Sequence, residues 1–384
     1  MLEILVTAII AFIVAFLAIP VVMLIADKKK LYDIPDERKL HTHAIASLGG
    51  VGIFVGFLFA GLLCINFSNA PEMRYFLAAA TLTFFIGLKD DIIALSATKK
   101  FVAQIIAAAI IIHLGGVRIE SMHGVLGMET LDPMYGVPLT YFTIILIINA
   151  YNLIDGIDGL SGSLGLMATL LFGTYFLLAK MYPYAAFSFG LSAALMAFLI
   201  FNYHPAKIFM GDSGSLLVGM VVSILVLKFI NIASGPGAAL PIGSAVAVGV
   251  SVLIVPLVDT IRVFGNRILR GRSPFSPDRN HVHHLLLDRG LGHSTVTLIC
   301  VSANISLILI TYLCRSFGNT ALILALFGTS FVALAILYYT LPKRKLVIHR
   351  RYVVSQAKQE RMSAPSQSKV INLQTKEKVQ NHIH

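Results

Sequence analysis

The residues of this sequence that could do chemistry lie in four short polar stretches of a chain that is otherwise strongly apolar. The stretches are LKDDIIALSATKK at 88–100, NAYNLIDGIDGLSG at 149–162, NYHPAKIFMGDSGS at 202–215 and RGRSPFSPDRNHVHHLLLDRG at 270–290. Ionisable side chains are costly inside hydrocarbon and usually mark functional sites there. We therefore expect these stretches to hold a polar ligand.

Two adjacent carboxylates, Asp90 and Asp91, lie in the first stretch at the end of an apolar run. Successive residues of a helix point about 100° apart. We therefore expect one carboxylate to face a metal or a substrate and the other to face a neighbouring helix. The alternative is a solvated helix end whose acids are bracketed by Lys89, Lys99 and Lys100.

The second stretch carries amides and carboxylates at every third position, which are Asn149, Asn152, Asp155 and Asp158. This spacing predicts one polar stripe along a helix. The glycines at 156, 159 and 162 permit a bend or the close approach of another backbone. The alternative is a small-residue interface between helices that is joined by hydrogen bonds, although amides without acids would serve that purpose.

Asp212, in the third stretch, lies among the glycines of FMGDSGS just before another apolar run. Carboxylate and amide oxygens suit a hard cation such as Mg²⁺. The stretch is not a P-loop, because the Gly-Lys-Ser/Thr ending is absent. The alternative is that Asp212 or Ser213 caps the helix that follows, which is compatible with a ligand role.

The fourth stretch is dense in histidine and arginine. HVHH at 281–284 places His281 and His284 on one helix face and His283 off it. Zinc is disfavoured because no cysteine partner and no HExxH pattern is present. The neighbouring arginines favour anionic oxygens, phosphate above all: Arg267, Arg270, Arg272, Arg279 and Arg289. Asp259 and Arg262 predict a structural pair that braces this loop.

Acids for Mg²⁺ and basic groups for phosphate are together the requirements of phosphoryl transfer. The elements that must position them are membrane helices, because 57% of the 384 residues are hydrophobic and only 13% are charged. Continuous apolar runs, each about the length of a membrane span, predict an all-α polytopic integral membrane protein with eleven spans. We place these at 3–25, 46–66, 73–90, 101–114, 138–154, 160–179, 183–203, 214–232, 239–262, 296–314 and 319–341.

The orientation follows from positive charge, which collects on the cytoplasmic side. Alternate connections carry all but five of the 30 lysines and arginines. This predicts an external N-terminus, a cytoplasmic C-terminus and all four polar stretches on the cytoplasmic side. Residues 1–342 are predicted to form the catalytic membrane domain, and 343–384 a basic tail that is disordered or lies on anionic lipid. Breakers around short β-like runs also predict a small external β-hairpin within 115–137.

Four motifs resemble one family. DD at 90–91, NAYNLIDGIDGL at 149–160, NYHPAKIFMGDSGSLLVG at 202–219 and SPDRNHVHHLL at 276–286 are similar to those of the polyprenyl-phosphate N-acetylhexosamine-1-phosphate transferases, glycosyltransferase family 4. The resemblance covers essentially the whole membrane domain, in motif order. RNHVHH resembles the GlcNAc branch of the family more than its MurNAc-pentapeptide branch.

The resemblance implies that UDP-GlcNAc and undecaprenyl phosphate react to give GlcNAc-diphosphoundecaprenol and UMP. It implies Mg²⁺, for which Mn²⁺ can substitute. The setting would be the bacterial inner (cytoplasmic) membrane, with the active site facing the cytoplasm. The reaction would be the first membrane step of a cell-envelope polysaccharide such as O-antigen or teichoic acid.

The resemblance also implies residue roles. Asp212 and Asn152 would hold Mg²⁺, and Asp90 and Asp91 would be catalytic residues beside the attacking lipid phosphate, one of them as a base. The nucleotide-binding residues would be Phe209, which stacks on uracil, with Asn202, Asp158, Asn149 and Asp155. The residues that meet sugar and phosphate would be Lys99, Lys100, Arg279, His281, His283 and His284.

Other functions remain open at this point. The same reaction could use another UDP-sugar, either MurNAc-pentapeptide or a 6-deoxy-N-acetylhexosamine. A membrane transporter is a different class, but its polar groups more often lie near the midplane on broken helices. We expect no nucleic-acid partner, since the basic charge follows topology. A homodimer is compatible with the sequence.

Overall fold

A computed structural model describes residues 1–31, 45–235, 237–271 and 281–340 of the chain. Within these ranges the chain is almost entirely helical. The helices are α1 (Leu2–Lys29), α2 (Gly49–Cys64), α3 (Met73–Ile92), α4 (Ala97–Ala109), α5 (Pro133–Ile154), α6 (Leu160–Leu178), α7 (Tyr182–Asn202), α8 (Gly211–Ala233), α9 (Ala245–Val252), α10 (Ile254–Leu269), α11 (Val282–Leu287), α12 (His293–Leu313) and α13 (Asn319–Thr340). A π-helical turn, Ile110–Leu114, extends α4.

Every predicted apolar run except that at 239–262 falls on one of these helices, and the all-α polytopic membrane fold is confirmed. Eight described helices are long and apolar enough to cross a membrane, and α9 with α10 would make a ninth. Helix α2 is short at 16 residues, and α3 ends in a charged turn. The predicted number of eleven spans and their orientation therefore stay predictions. The predicted tail at 343–384 lies outside the described residues.

The ninth predicted span, 239–262, is wrong as a single helix. The structure begins a helix at Ala245, interrupts it at Leu253 and continues it at a 75° bend. Pro256 lacks the N–H that would bond to the Val252 carbonyl, so a continuous helix loses a hydrogen bond there. The buried Asn304 of α12 satisfies the freed backbone: its Nδ2 donates to the carbonyls of Ser251 (3.2 Å) and Val252 (3.1 Å). Its Oδ1 accepts from Val255 N–H at 3.2 Å.

The predicted hairpin is present. Strands β1 (Ser121–Val125) and β2 (Met128–Thr130) pair antiparallel, with Ser121 opposite Thr130. It is tied to the start of α13, where Asn319 Nδ2 donates to the His123 carbonyl at 2.6 Å. The side of the membrane on which it lies stays a prediction.

Helix α8 is the most buried of the eight candidate spans, with 78% of its best window inside the protein. Glycines let neighbouring helices approach its N-terminus closely. A Cβ on Gly87 of α3 would lie 2.4 Å from the Asp212 carbonyl oxygen, and one on Gly50 of α2 would lie 2.2 Å from the Gly214 nitrogen. This close packing brings the acidic end of α3 against the first turn of α8.

Candidate active site

Asp91 caps the first turn of α8 from a different helix. Its Oδ1 accepts from Asp212 N–H at 2.7 Å and its Oδ2 from Ser213 N–H at 3.0 Å. A carboxylate there stabilises the positive end of a helix and its unpaired N–H groups. The alternative in which Asp212 or Ser213 caps α8 is wrong, because the helix has no side-chain cap of its own. Asp91 thereby fixes the backbone of Asp212.

Asp90 faces a different group, as expected for adjacent helical residues. Its carboxylate forms an ion pair with Lys100 Nζ, and its Oδ1 accepts from Leu95 N–H at 2.6 Å. Lys100 Nζ also lies 2.6 Å from Asp212 Oδ2. One ammonium group from α4 therefore bridges carboxylates from α3 and α8. Lys99, by contrast, is exposed.

Asp90, Lys100 and Asp212 form a group that we call the acidic cluster. Asn152 joins it from the end of α5. Its Nδ2 donates to Asp212 Oδ1 at 2.9 Å and to Ser215 Oγ at 3.0 Å. Asn149, one turn earlier, donates instead to Gln104 Oε1 at 2.9 Å. Asn152 therefore contacts the acidic cluster, whereas Asn149 contacts α4.

The predicted single stripe from Asn149 to Asp158 is wrong in its second half. Helix α5 ends at Ile154, and Asp155 leaves helical geometry with a ψ of 58°. Gly159 has a φ of +76°, which a glycine adopts at little cost, and α6 begins directly after it. We call residues 155–159 the acidic turn. Its two carboxylates are placed by this turn and not by a helix face.

Asp155 accepts a hydrogen bond from Ser161 Oγ on α6. Burial raises the pKa of Asp155 to about 7, and the nearby Asp212 and Asp91 also raise it, although the Ser161 hydroxyl opposes the shift. Close to neutral pH this carboxyl can hold a proton.

Asp158 lies between two histidines. Its Oδ2 is 2.6 Å from His204 Nδ1 and accepts from Ala206 N–H at 3.2 Å, and its Oδ1 is 3.1 Å from His293 Nδ1. Burial alone would raise the pKa of Asp158, but the imidazoles of His293 and His204 outweigh it and hold the pKa at about 2. The possible metal-ligand atoms of these three residues lie within 4.8 Å of one another, and Oδ2 of Asp158 is already hydrogen-bonded to His204 and Ala206.

The segment between α7 and α8 is tied to the acidic turn by Asn202. Its Oδ1 accepts from Gly159 N–H at 2.9 Å and its Nδ2 donates to the Ile208 carbonyl at 2.8 Å. The half-buried Phe209 follows, and its backbone is held by hydrogen bonds with Ala46 and Gly49. Asn202 thus braces the predicted nucleotide site. Phe209 directly follows Ile208, the residue whose carbonyl Asn202 holds.

The three histidines of HVHH lie together, and the prediction that His283 lies off the face shared by the other two is wrong. Helix α11 begins only at Val282, so His281 precedes it in extended geometry. The rings of His281 and His283 are parallel with centroids 5.5 Å apart, and those of His283 and His284 are 4.4 Å apart. Burial, with the neighbouring His284, lowers the pKa of His283 to about 3. His283 is therefore neutral and gives phosphate no positive charge.

Residues 281–284, which we call the histidine segment, are held on both sides. Asp259 Oδ2 is 2.7 Å from His281 Nδ1, and the predicted Asp259–Arg262 pair is confirmed at 3.1 Å. On the other side, His283 packs against the acidic turn, where a Cβ on Gly156 would lie 2.2 Å from His283 Nε2. The predicted Arg279 lies outside the described residues.

Comparison with known proteins identifies the family of this chain. The model of the family described as "Glycosyl transferase family 4" matches residues 73–230, which run from α3 into α8. The chain is 33% identical over 315 residues to a decaprenyl-phosphate N-acetylglucosaminephosphotransferase of Mycobacterium leprae, a match that covers 75% of this chain and 78% of the relative. This chain belongs to glycosyl transferase family 4.

Two further relatives of this family 4 transferase come from other bacteria. A probable undecaprenyl-phosphate N-acetylglucosaminyl 1-phosphate transferase of Bacillus subtilis is 32% identical, with 76% of this chain and 80% of the relative covered. An undecaprenyl-phosphate alpha-N-acetylglucosaminyl 1-phosphate transferase of Yersinia pestis is 30% identical, with 73% and 76% covered. The family 4 chain is thus a multi-pass membrane transferase.

Several residues of the family 4 site were not predicted from sequence. His204 stood inside a recognised motif but was given no role. His293 begins α12, far along the chain from its partner Asp158. Ser161 of α6 donates to Asp155, and Ser215 of α8 accepts from Asn152. Only the three-dimensional packing joins them.

Proposed function

We propose that this family 4 transferase moves GlcNAc-1-phosphate from UDP-GlcNAc to undecaprenyl phosphate and releases UMP. The observation that carries the proposal is the cluster of Asp90, Lys100, Asn152 and Asp212, assembled from α3, α4, α5 and α8. The names of the relatives, each a polyprenyl-phosphate GlcNAc-phosphotransferase, support the same donor fragment and acceptor.

The donor set of this cluster fits Mg²⁺. It offers carboxylate oxygens and an amide, which hard cations prefer. Lys100 lies between Asp90 and Asp212, so Mg²⁺ would share these carboxylates with its ammonium group. We propose that Asp212 and Asn152 would hold Mg²⁺, which would supply charge neutralisation for the donor diphosphate. Mn²⁺ would substitute.

In this proposal the residues of the chain act mainly by positioning the reacting groups and stabilising their charge. A phosphate monoester has a second pKa of about 6, so the lipid phosphate is already a nucleophilic dianion at neutral pH. A protein base is therefore unnecessary. Asp91 holds the N-terminus of α8 and Asp90 orients Lys100, whose ammonium group then neutralises phosphate. Positioning and charge stabilisation of this kind lower the barrier of such transfers.

The remaining site residues would bind the donor. The acidic turn and Asn202 shape the nucleotide pocket beside Phe209, which would stack on uracil. The histidine segment would meet the sugar diphosphate, together with Arg279. The proposed setting is the bacterial inner membrane, and the distribution of positive charge supports a site that faces the cytoplasm.

A release assay on purified protein tests the proposal. Undecaprenyl phosphate and Mg²⁺ are supplied with UDP-GlcNAc, UDP-GalNAc or UDP-MurNAc-pentapeptide, one donor at a time. We expect metal-dependent UMP and a chloroform-soluble labelled lipid from UDP-GlcNAc alone. UMP from a different donor would overturn the donor assignment and keep the reaction class. The absence of UMP with every donor would overturn the proposed transfer from UDP-GlcNAc.

A further inference from the structure

Asp259 of α10 is a carboxylate that is only 1% exposed inside the membrane domain. Burying a carboxylate is costly unless it is paired and hydrogen-bonded. Its Oδ1 accepts from Val282 N–H at 2.8 Å and from a guanidinium nitrogen of Arg262 at 3.1 Å. Its Oδ2 lies 2.7 Å from His281 Nδ1. Two of these three partners belong to the histidine segment, so the carboxylate anchors that segment to α10.

The contact also fixes where His281 carries its proton. An ionised carboxylate can only accept hydrogen bonds. Nδ1 of His281 must therefore carry a hydrogen, and Nε2 is the ring nitrogen left for another partner. In proteins the hydrogen bond at one ring nitrogen sets the state of the other in this way.

His281 is connected to the acidic turn through His283. Its ring is parallel to that of His283, which in turn packs on Gly156. A series of contacts therefore connects α10 to the acidic turn. It runs from Asp259 to His281, from His281 to His283, and from His283 to Gly156. Moving the first member would move the histidines relative to that turn.

We propose that Asp259 is a positioning residue that acts through His281, presenting Nε2 of that imidazole to the sugar diphosphate of the donor. This inference rests on the proposed function, in which His281 meets that part of the donor. It assigns Asp259 a role beyond the structural pair with Arg262.

Asp259→Asn tests the proposal sharply. Val282 N–H and Arg262 both donate to the Oδ1 position, so the oxygen of the new amide stays there and its NH₂ group faces His281 Nδ1. Two donors would then meet unless the proton of His281 moves to Nε2. Loss of a group that orients a ligating histidine costs about 10–100-fold at metal sites, and we expect a fall of that size in kcat/KM for UMP release.

A double-mutant cycle separates positioning from a general structural role. If Asp259 acts through His281, then Asp259→Asn should cost about 10-fold or more in the wild-type background and almost nothing further in His281→Ala. Equal losses in both backgrounds would overturn the proposal. Arg262→Met is the matched variant, because it removes another donor from the same carboxylate without touching His281, and it should cost less than Asp259→Asn.

A spectroscopic measurement keeps this test independent of the proposed reaction. With ¹⁵N-histidine label, the wild-type protein should show a protonated Nδ1 that His281→Gln removes and that Asp259→Asn shifts to Nε2. An unchanged signal in Asp259→Asn would overturn the proposal even if no donor releases UMP. If Asp259→Asn does not fold, His281→Asn serves instead: it keeps an N–H donor toward Asp259 and lacks Nε2. It should keep its thermal stability and lose turnover, and normal turnover would contradict the proposal.

Discussion

At the scale of single residues, the charged groups of the site each interact with more than one partner. Lys100 forms ion pairs with two carboxylates. Both oxygens of Asp91 accept hydrogen bonds from backbone N–H groups of α8. The sequence offered Lys99 and Lys100 as equal candidates for neutralising phosphate. The structure distinguishes the two lysines. Among the contacts of the described residues, those between a lysine and the carboxylates of the acidic cluster come from Lys100 and not from Lys99.

Replacing Lys100 should therefore matter more than replacing its neighbour. Lys100→Met leaves Asp90 and Asp212 without their shared counter-charge, and we expect UMP release to fall about 100-fold, the size of effect seen when one charge-stabilising group is lost. Lys99→Met is the matched control and should lose far less. Equal losses in the two variants would contradict the assignment.

Asp155 should give the protein a pH-dependent stability. Its folded-state pKa of about 7 lies above the ordinary value of 3.8. Between these values the unfolded chain releases the proton and the folded chain keeps it, so Asp155 lowers stability as pH rises from about 4 to about 7 and not beyond. Asp155→Asn removes this effect and can still accept from Ser161.

The melting temperature of both proteins, measured from pH 4 to pH 8, checks this prediction. The advantage of Asp155→Asn over the wild type should grow up to about pH 7 and then stay level. A difference that is constant across the range would show that the folded-state pKa of Asp155 is ordinary.

At the scale of elements, the site depends on where helices stop. Helix α5 ends at Ile154, before its polar series is complete, and the α9–α10 bend interrupts a run that reads as one span. The bend matters for the site because Asp259, which anchors the histidine segment, lies on α10 just beyond it. Asn304 is the residue that satisfies the backbone at the bend.

Asn304→Leu should destabilise the bend. The substitution removes three hydrogen bonds to the backbone of α9 and α10. A buried polar group left without a partner costs about 1–3 kcal/mol. The midpoint of thermal unfolding in detergent should therefore fall clearly. Ser306→Ala, on the exposed side of the same helix, is the control and should change the midpoint little. Equal midpoints for the two variants would contradict a role for Asn304 at the bend.

At the scale of the whole molecule, the sequence predicted the class of fold and the grouping of motifs, because hydropathy and motif order are properties of the chain itself. It predicted that Asp90 and Asp91 face different partners from helix geometry alone. It failed where a glycine or a proline changes the backbone, as in the acidic turn and at Leu253. It also could not pair His293 with Asp158 or His281 with Asp259, since such contacts depend on packing between distant helices.

The measurement that tests the account most directly is UMP release from UDP-GlcNAc and undecaprenyl phosphate by the wild type, Asp212→Ala and Asn152→Ala, each purified from membranes at equal yield. Ser223→Ala, a change on the same helix α8 away from the cluster, is the matched control. We expect the control to keep its turnover and the two site variants to lose it. Near-normal turnover in either site variant would contradict the assignment of the cluster as the catalytic centre.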